Sequence, residues 1–382
     1  MKIFADKDIL AVENNFGALG DLHLFDGRKV KCGDLREADA LLVRSITQVD
    51  QSLISGTNIR FVGTATSGTD HIDKKYLEDA AIHFVDAKGS NANAVVDYCF
   101  AVLSYAVLDK DFDLENCTVG IIGAGCVGGL FARKLAELGI SVRCFDPFLE
   151  ALSGDNKSDV PGGFFSLKEV LACNVVSLHV PLTEEGKHPT KNLIGAAELE
   201  LMSSGTILIN ACRGEVVDEE ALKCTLATGR ELFCAFDVWA GEPEIDRDLL
   251  KLLAIATPHI AGYSKEAKSK ATRMLLRAFK RFFELKECVI QSIDPDVTPL
   301  IPDERLTQQL ALHTVLAAFP IQQLSKQLKK DFANGAGAQT FDAVRKQLLG
   351  RREYESNSIE PDRYSSNELA FLTTLGFRSR GV

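Results

Sequence analysis

The sequence predicts an α/β protein with two doubly wound parallel-sheet domains and a small α+β domain at the C-terminus. Its 382 residues exceed the usual size of a single hydrophobic core. Short apolar strands alternate with helical or loop connections up to about residue 260, as in parallel sheets covered by helices. After residues 287–303, which contain three prolines and predict a linker, this alternation stops.

Each predicted element follows from its local pattern. Apolar runs predict strands at 2–5, 23–25, 40–43, 59–62 and 82–85 in the first domain, and at 118–122, 141–145, 174–180, 206–210, 232–238 and 253–256 in the second. Residues 94–108 are apolar nearly all round and predict a buried helix, in which Asp97 is expected to be an exposed or capping group. Apolar residues at helical spacing predict a long helix over 264–286, which returns the chain to the first domain. Ser365 and Glu368 form a capping box that opens a short helix, and Gly376 closes it.

A glycine motif organises the second domain. Gly123, Gly125 and Gly128 follow a buried strand and open a helix, and Asp146 ends the next strand, eighteen residues after Gly128. Glycines in this context allow a tight turn and let the backbone approach a pyrophosphate, which the helix N-terminus then attracts. A carboxylate at position 146 suits the ribose hydroxyls and would repel a 2′-phosphate. The motif therefore predicts a dinucleotide site for NAD rather than NADP.

Composition and charge narrow the class of protein. The net charge of −10 argues against general affinity for nucleic acid or for an anionic membrane, although a few local arginines could still bind an anionic substrate. No apolar run reaches the length of a membrane span, and the N-terminus reads as a strand rather than a signal peptide. The ten cysteines form no C-x-x-C pair, so we expect reduced thiols in a cytoplasmic protein and no metal site.

Polar residues follow the later strands of the second domain. Arg213, Glu242 and His259 each come after a different strand, and the carboxyl ends of such strands line the ligand crevice. A histidine can take a hydroxyl proton while a hydride leaves for a nicotinamide, and a guanidinium can hold a carboxylate with forked geometry. The set therefore predicts hydride transfer from an alcohol.

The order and spacing of these three residues resemble the D-isomer-specific 2-hydroxyacid dehydrogenases, and the match runs from about residue 40 to 270. The resemblance implies a flavodoxin-like substrate domain (1–93 and 264–286), a Rossmann NAD domain (94–263) and a C-terminal dimerisation domain (287–382). It also implies that His259 is the acid/base, Glu242 its partner and Arg213 the group that orients the substrate.

The resemblance further implies a set of binding residues. The substrate contacts are Ser45, Thr66 and Tyr263, and the NAD contacts are Gly123, Gly125, Cys126, Val127, Gly128, Asp146, Val180, Ala211, Cys212, Arg213, Asp237 and Gly262. Cys126 stands where an Asn is expected and Val180 where the family often has Thr, and backbone atoms can make both contacts. The loops around Ser45, Thr66 and Tyr263 carry a closer match within the family. That match implies a small phosphorylated 2-hydroxy acid as substrate, a role in pyridoxal phosphate biosynthesis, and a homodimer.

Several alternatives stay open at this stage. The substrate could be that of another family member, such as D-3-phosphoglycerate, or the fold could serve as an NAD-sensing scaffold without turnover. His71 is interpreted as structural, His179 as scaffolding of the cofactor pocket, and Trp239 as a core residue. Arg351 and Arg352 resemble a phosphate clamp reaching across a dimer, but a solvated charge pair is the favoured interpretation.

Overall fold

The computed structural model describes residues 1–153, 160–286, 297–300, 308–335, 337, 341, 343–345 and 348–380. These residues form two compact units. The first comprises the described residues among 1–91 and 265–295, and the second those among 92–264 and 296–382. The predicted linker at 287–303 lies almost wholly outside the described residues, as does Cys288.

The first unit contains a parallel sheet of five described strands. These are β1 (Lys2–Asp6), β2 (Asp21–Phe25), β3 (Ala40–Val43), β4 (Phe61–Thr64) and β5 (His83–Val85). The order is β2-β1-β3-β4-β5, the doubly wound order of flavodoxin-like sheets, which confirms the predicted fold class. The sheet core is buried on both faces, because helices cover each side.

The helices of the first unit divide between the two faces of its sheet. They are α1 (Val12–Phe16), α2 (Gln51–Ile54), α3 (Lys74–Asp79) and, from later in the chain, α11 (Lys265–Phe282). Apolar side chains of α1 and α11 pack in one core cluster, and those of α2 and α3 pack in the other. Asp50 and Asp73 accept backbone N–H groups at the starts of α2 and α3, which fixes where these two helices begin.

The second unit contains a parallel sheet of six described strands. These are β6 (Thr118–Ile122), β7 (Ser141–Phe145), β8 (Val175–Leu178), β9 (Ile207–Asn210), β10 (Phe233–Phe236) and β11 (Ile255–Ala256). They run in the order β11-β10-β9-β8-β6-β7, so the strand order reverses beside β6, where ligands bind in open sheets of this kind. The alternation of apolar runs predicted this second sheet as well.

Helices also cover both faces of the second sheet. They are α4 (Ala92–Lys110), α5 (Gly128–Glu137), α6 (Pro147–Ser153), α7 (Leu167–Leu171), α8 (Ala196–Glu200), α9 (Glu219–Ala227) and α10 (Arg247–Leu252). Among the described residues, α4 alone is long and apolar enough to cross a membrane by length and composition. Most of it is buried inside the second unit, as expected of the core helix predicted at 94–108. The expectation that Asp97 is exposed is wrong, because its side chain is buried and accepts the N–H of Tyr354 at 2.9 Å.

The C-terminal residues pack within the second unit. They include α12 (Leu310–Ala318), α13 (Ile321–Ala333), α14 (Ser366–Leu375) and a small parallel sheet of β12 (Thr298–Pro299), β13 (Asn357–Ile359) and β14 (Arg378–Ser379). Side chains of α12 and α14 join the core cluster that contains α4. Ser365 and Glu368 form the predicted capping box, and Gly376 ends α14 with a φ of 111°. That residues 287–382 form a separate domain stays a prediction.

Candidate active site

The second sheet places the predicted catalytic residues on neighbouring loops. Arg213 follows β9, Glu242 follows β10 and His259 follows β11, and these three strands are consecutive in the sheet. Because all three run parallel, their following loops emerge at the same edge. The glycine turn after β6 and Asp146 after β7 emerge at that edge too, beyond β8.

His259 and Glu242 are in direct contact. The Nδ1 atom of His259 lies 2.7 Å from Oε2 of Glu242, and Oε1 of the same carboxylate accepts the N–H of Trp239 at 2.9 Å. Both side chains are partly exposed, at 37% for His259 and 23% for Glu242. Because Nδ1 is hydrogen-bonded to a carboxylate that a backbone N–H holds in place, Nε2 is the ring nitrogen that can exchange a proton with a ligand.

His259 lies in a loop with an unusual backbone, residues 257–264, here called the histidine loop. Its own φ is 54°, a left-handed conformation that costs a non-glycine residue about 1–3 kcal/mol unless its surroundings enforce it. Asp237 supplies part of that enforcement. Its carboxylate accepts the N–H groups of Ile260 at 2.8 Å and Ala261 at 2.7 Å, and its carbonyl accepts the N–H of His259 at 2.7 Å.

Asp237 is itself 1% exposed. Burial raises the pKa of its carboxyl, and the His259 side chain, the Thr257 hydroxyl at 2.6 Å and the two loop amides oppose that rise. The partners that the structure gives this carboxylate therefore belong to the histidine loop. The contact between Asp237 and NAD stays a prediction of the resemblance.

Arg213 lies on a tightly packed turn. The carbonyl of Arg213 accepts the side-chain amide of Asn210 at 3.0 Å, and its Nη1 donates to the carbonyl of Cys212 at 2.6 Å. A side chain at Gly214 would place its Cβ 1.9 Å from the carbonyl carbon of Trp239. Only glycine allows this approach, which packs the turn carrying Arg213 against the backbone after β10.

The three motif glycines have three different environments. A Cβ at Gly123 would lie 2.7 Å from the carbonyl oxygen of His179, and one at Gly128 would lie 1.9 Å from that of Gly123. At Gly125 a Cβ would meet no described atom within 4 Å. The first and third glycines therefore let the strand, turn and helix pack closely, while the second faces open space. This arrangement fits a dinucleotide, whose pyrophosphate needs close access to the backbone.

Asp146 connects the end of β7 to this glycine turn. One carboxylate oxygen accepts the N–H of Ala124 at 3.0 Å, and the other accepts the N–H of Leu149 at the start of α6. The carboxylate is thus fixed beside the glycine turn, where the ribose of a dinucleotide is expected.

The two departures from the family pattern lie at the same turn. Cys126 is exposed, and Val127 is partly buried at the start of α5. The Cγ1 atom of Val180 lies 2.8 Å from where a Cβ of Gly123 would be, so Val180 packs against the turn. Ala211 and Gly262 are both partly buried, and Gly262 lies in the histidine loop. Cys212 is buried beside Arg213. The roles of all these residues in binding NAD stay predictions.

The predicted substrate residues belong to different units. Ser45 is exposed after β3, and Thr66 lies after β4, where its hydroxyl donates to the carbonyl of Gly68 at 2.8 Å. Both belong to the first unit, whereas Tyr263 belongs to the histidine loop of the second unit. The guanidinium of Arg345 lies 5.1 Å from the centre of the Tyr263 ring.

Two further histidines each lie within hydrogen-bond distance of a strand hydroxyl, and the roles interpreted for them from sequence stay predictions. His71 is buried, and its Nε2 lies 2.9 Å from the hydroxyl of Thr64. His179 pairs with Ser177 at 2.9 Å, and burial lowers the pKa of His179 to about 4, so the ring is neutral near pH 7. Trp239 is buried and donates to the carbonyl of Thr257. Within the described ranges no cluster of His, Cys, Asp or Glu could hold a metal ion.

Sequence reasoning missed two charged residues near the site. Glu219 accepts the N–H of Ala240 at 2.8 Å, and burial raises its pKa to about 7, with Asp246, Glu215 and Glu242 adding to the rise. Arg351 was interpreted as half of a solvated pair, and this is wrong because it is only 7% exposed. The local sequence does not indicate that either residue is buried. Glu219 has the pattern of an ordinary acidic helix start, and Arg351 is distinguished only by the charged residue next to it, Arg352.

The second sheet, its glycine turn and the His259–Glu242 pair define a class of enzyme, the NAD-dependent dehydrogenases of 2-hydroxy acids. Residues 106–261 match the family model described as "D-isomer specific 2-hydroxyacid dehydrogenase, NAD binding domain". The chain belongs to the D-isomer-specific 2-hydroxyacid dehydrogenase family.

Individual relatives show where within this family the chain belongs. The chain is 39% identical to erythronate-4-phosphate dehydrogenase of Hahella chejuensis and 38% identical to that of a Marinomonas species, with 99% of each chain covered in both cases. Among solved structures it resembles D-lactate dehydrogenase from Aquifex aeolicus complexed with NAD and lactic acid. That likeness has a TM-score of 0.61 at 25% identity, and it covers 74% of this chain and 96% of the other.

Proposed function

We propose that this protein oxidises 4-phospho-D-erythronate at C2, with NAD as hydride acceptor, to give 2-oxo-3-hydroxy-4-phosphobutanoate for pyridoxal 5′-phosphate biosynthesis. The substrate follows from the shared name of its full-length relatives. The observation that carries the chemistry is the 2.7 Å contact between His259 and Glu242 at the edge that also bears the glycine turn.

In the proposed reaction His259 accepts the proton of the C2 hydroxyl through Nε2, while the C2–H bond breaks and its hydrogen leaves with the electron pair as a hydride. Bound NAD supplies the hydride acceptor. Glu242 holds the ring by Nδ1 and faces the positive charge that develops on the imidazole. The products are a ketone at C2, NADH and one proton, which His259 returns to solvent.

Arg213 is proposed to bind the C1 carboxylate, because a guanidinium can pair with a carboxylate through two parallel N–H groups. The turn that carries Arg213 is packed against the backbone after β10, which fixes the point from which the Arg213 side chain extends. Asp237 holds the histidine loop from its N–H side. Ser45, Thr66 and Tyr263 are proposed as further substrate contacts.

The glycine turn and Asp146 are proposed to hold the cofactor. Gly125 leaves room for the pyrophosphate, and the Asp146 carboxylate is fixed where it can accept the ribose hydroxyls. The same carboxylate would repel a 2′-phosphate, so NAD is the expected cofactor and NADP a poor one.

A substrate panel tests the proposal. Purified protein is expected to reduce NAD to NADH with 4-phospho-D-erythronate, as measured by absorbance. Its kcat/KM should be at least about tenfold higher with this substrate than with D-3-phosphoglycerate or D-lactate, a difference worth about 1.4 kcal/mol. His259→Ala, with NAD affinity measured in parallel, is expected to abolish turnover. A preference for D-3-phosphoglycerate would show that the proposed substrate is wrong. NAD binding without turnover of any acid would show that the protein is an NAD-sensing scaffold and not an enzyme.

We also propose that the enzyme acts in the cytoplasm as a homodimer, with the C-terminal residues at the interface. The described cysteines are all free thiols, which is typical of proteins from a reducing compartment. Sedimentation equilibrium tests the oligomeric state. A mass of twice the 41.7 kDa chain is expected, and a single-chain mass at micromolar concentration would contradict it.

A further inference from the structure

Arg351 reaches from the C-terminal residues into the base of the histidine loop. Its Nε donates to the carbonyl of Tyr263 at 2.5 Å, and its Nη2 donates to the carbonyls of Ala261 at 2.9 Å and Ala94 at 3.1 Å. The guanidinium also lies over the ring of Phe319, 4.0 Å from its centre. One side chain therefore connects the histidine loop to the start of α4.

Neighbouring residues of the same segment make similar contacts. Glu353 is buried and accepts the hydroxyl of Ser264 at 2.6 Å. Tyr354 donates its backbone N–H to the carboxylate of Asp97 and its hydroxyl to the carbonyl of Asp97 at 2.8 Å. Arg351, Glu353 and Tyr354 thus contact the histidine loop and α4 through buried polar groups.

The histidine loop is held from two sides. Asp237 accepts the N–H groups of Ile260 and Ala261, and Arg351 donates to the carbonyls of Ala261 and Tyr263. Both peptide groups of Ala261 are therefore fixed by charged side chains. His259 stands two residues earlier, in a left-handed conformation that only such surroundings maintain.

We propose that Arg351 is a positioning residue for the reaction: it sets the conformation of the histidine loop and so the placement of His259 and Tyr263. This inference rests on the proposed function, in which both of those residues face the substrate. It also means that the C-terminal segment contributes to the chemistry of the second sheet without touching the reacting atoms.

The role requires an arginine rather than any cation. The guanidinium presents donors in a rigid fork, so one planar group bonds to several carbonyls at once, whereas a lysine ammonium is a compact charge on a flexible stem. A buried carbonyl that loses its donor carries the cost of its desolvation. Arg351→Lys keeps a positive charge beside Asp97 but loses both the fork and the planar guanidinium over the Phe319 ring.

The kinetic experiment compares Arg351→Lys and Arg351→Ala with Arg380→Ala, an exposed arginine of the C-terminal residues that pairs with Glu360. Titration of bound NADH counts the folded sites in each preparation, and kcat is expressed per site. We expect kcat per site to fall at least tenfold in Arg351→Lys and further in Arg351→Ala, with NAD affinity within twofold of wild type and Arg380→Ala unchanged. An unchanged kcat per site, with fewer folded sites, would mean a purely structural role and would overturn the inference.

An activity-independent readout keeps this inference separate from the proposed function. Hydrogen exchange of the backbone amides at 260–263 is expected to quicken at least tenfold in Arg351→Lys, while amides of β6 and β8 keep the wild-type rate. Equal protection of 260–263 in both proteins would overturn the positioning role, whatever the substrate. If wild type oxidises no 2-hydroxy acid but these amides respond as expected, the proposed function fails and the role of Arg351 in setting the loop survives.

Discussion

The Nδ1 atom of His259 and the Oε2 atom of Glu242 lie 2.7 Å apart, although the two residues follow different strands of the second sheet. Glu242 is fixed in turn by the N–H of Trp239. His259 is fixed by a loop that Asp237 holds through two backbone amides. The contact is therefore set by backbone geometry on both sides and not by two flexible side chains meeting at the surface.

Glu242→Gln tests the electrostatic part of this contact. Glutamine can still accept the Trp239 N–H, but it cannot face the imidazolium with a negative charge. We expect kcat to fall about 10²–10³-fold with NAD affinity unchanged, measured by steady-state kinetics and by NAD titration. Glu244→Gln, an exposed carboxylate of the same loop, is the matched control. A fall in kcat of less than threefold in Glu242→Gln would contradict the assigned role.

Two glycine-to-alanine changes in the glycine turn are expected to affect different properties, one the stability of the protein and the other its affinity for NAD. Gly128→Ala places a Cβ 1.9 Å from the carbonyl oxygen of Gly123, and the strain should lower the free energy of unfolding by about 1–3 kcal/mol. Gly125→Ala meets open space, so its melting temperature should match wild type while NAD affinity falls at least about tenfold, because the methyl group enters the space a pyrophosphate needs. Thermal melting and NAD titration on both variants check this. Wild-type NAD affinity in Gly125→Ala would show that the cofactor lies elsewhere.

Glu219 predicts a pH-dependent stability. Burial raises the pKa of Glu219 in the folded state to about 7 from its ordinary value of 4.5, so the folded state binds more protons than the unfolded state between these values. The contribution of Glu219 to stability is therefore lost as pH rises through that window. The wild type should lose about 1–2 kcal/mol relative to Glu219→Gln between pH 4.5 and pH 7, a figure reduced for partial solvent screening.

Urea unfolding of both proteins across that pH range measures the difference. Glu220→Gln, at the next position of α9 and largely exposed, is the control and should show a much smaller change relative to wild type. A Glu219→Gln difference that stays constant with pH would show that Glu219 is not held in the environment described.

The sequence contained enough to predict both sheets, because apolar runs and glycine turns are local signals. It also singled out Arg213, Glu242 and His259, since each lies in the loop after a strand and their spacing resembles a known family. The side-chain hydrogen bonds of Arg351 could not be predicted, because they join residues 88 or more positions apart. The sequence around Arg351 also has no pattern that distinguishes a buried arginine from a solvated one. Asp97 was misjudged for the same reason, since its partner Tyr354 lies 257 residues away. The raised pKa of Glu219 depends on the burial of the start of α9 beside Ala240, which no local pattern indicates.

In the proposed reaction a hydride leaves C2 of 4-phospho-D-erythronate while His259 takes the hydroxyl proton. The most direct test uses this substrate deuterated at C2, with the same compound deuterated at C3 as control, and mass spectrometry of the NADH formed. Deuterium is expected in NADH from the C2-labelled compound and not from the C3-labelled one, and no NADH is expected with His259→Ala. Deuterium arriving only from C3, or undiminished turnover by His259→Ala, would contradict the account.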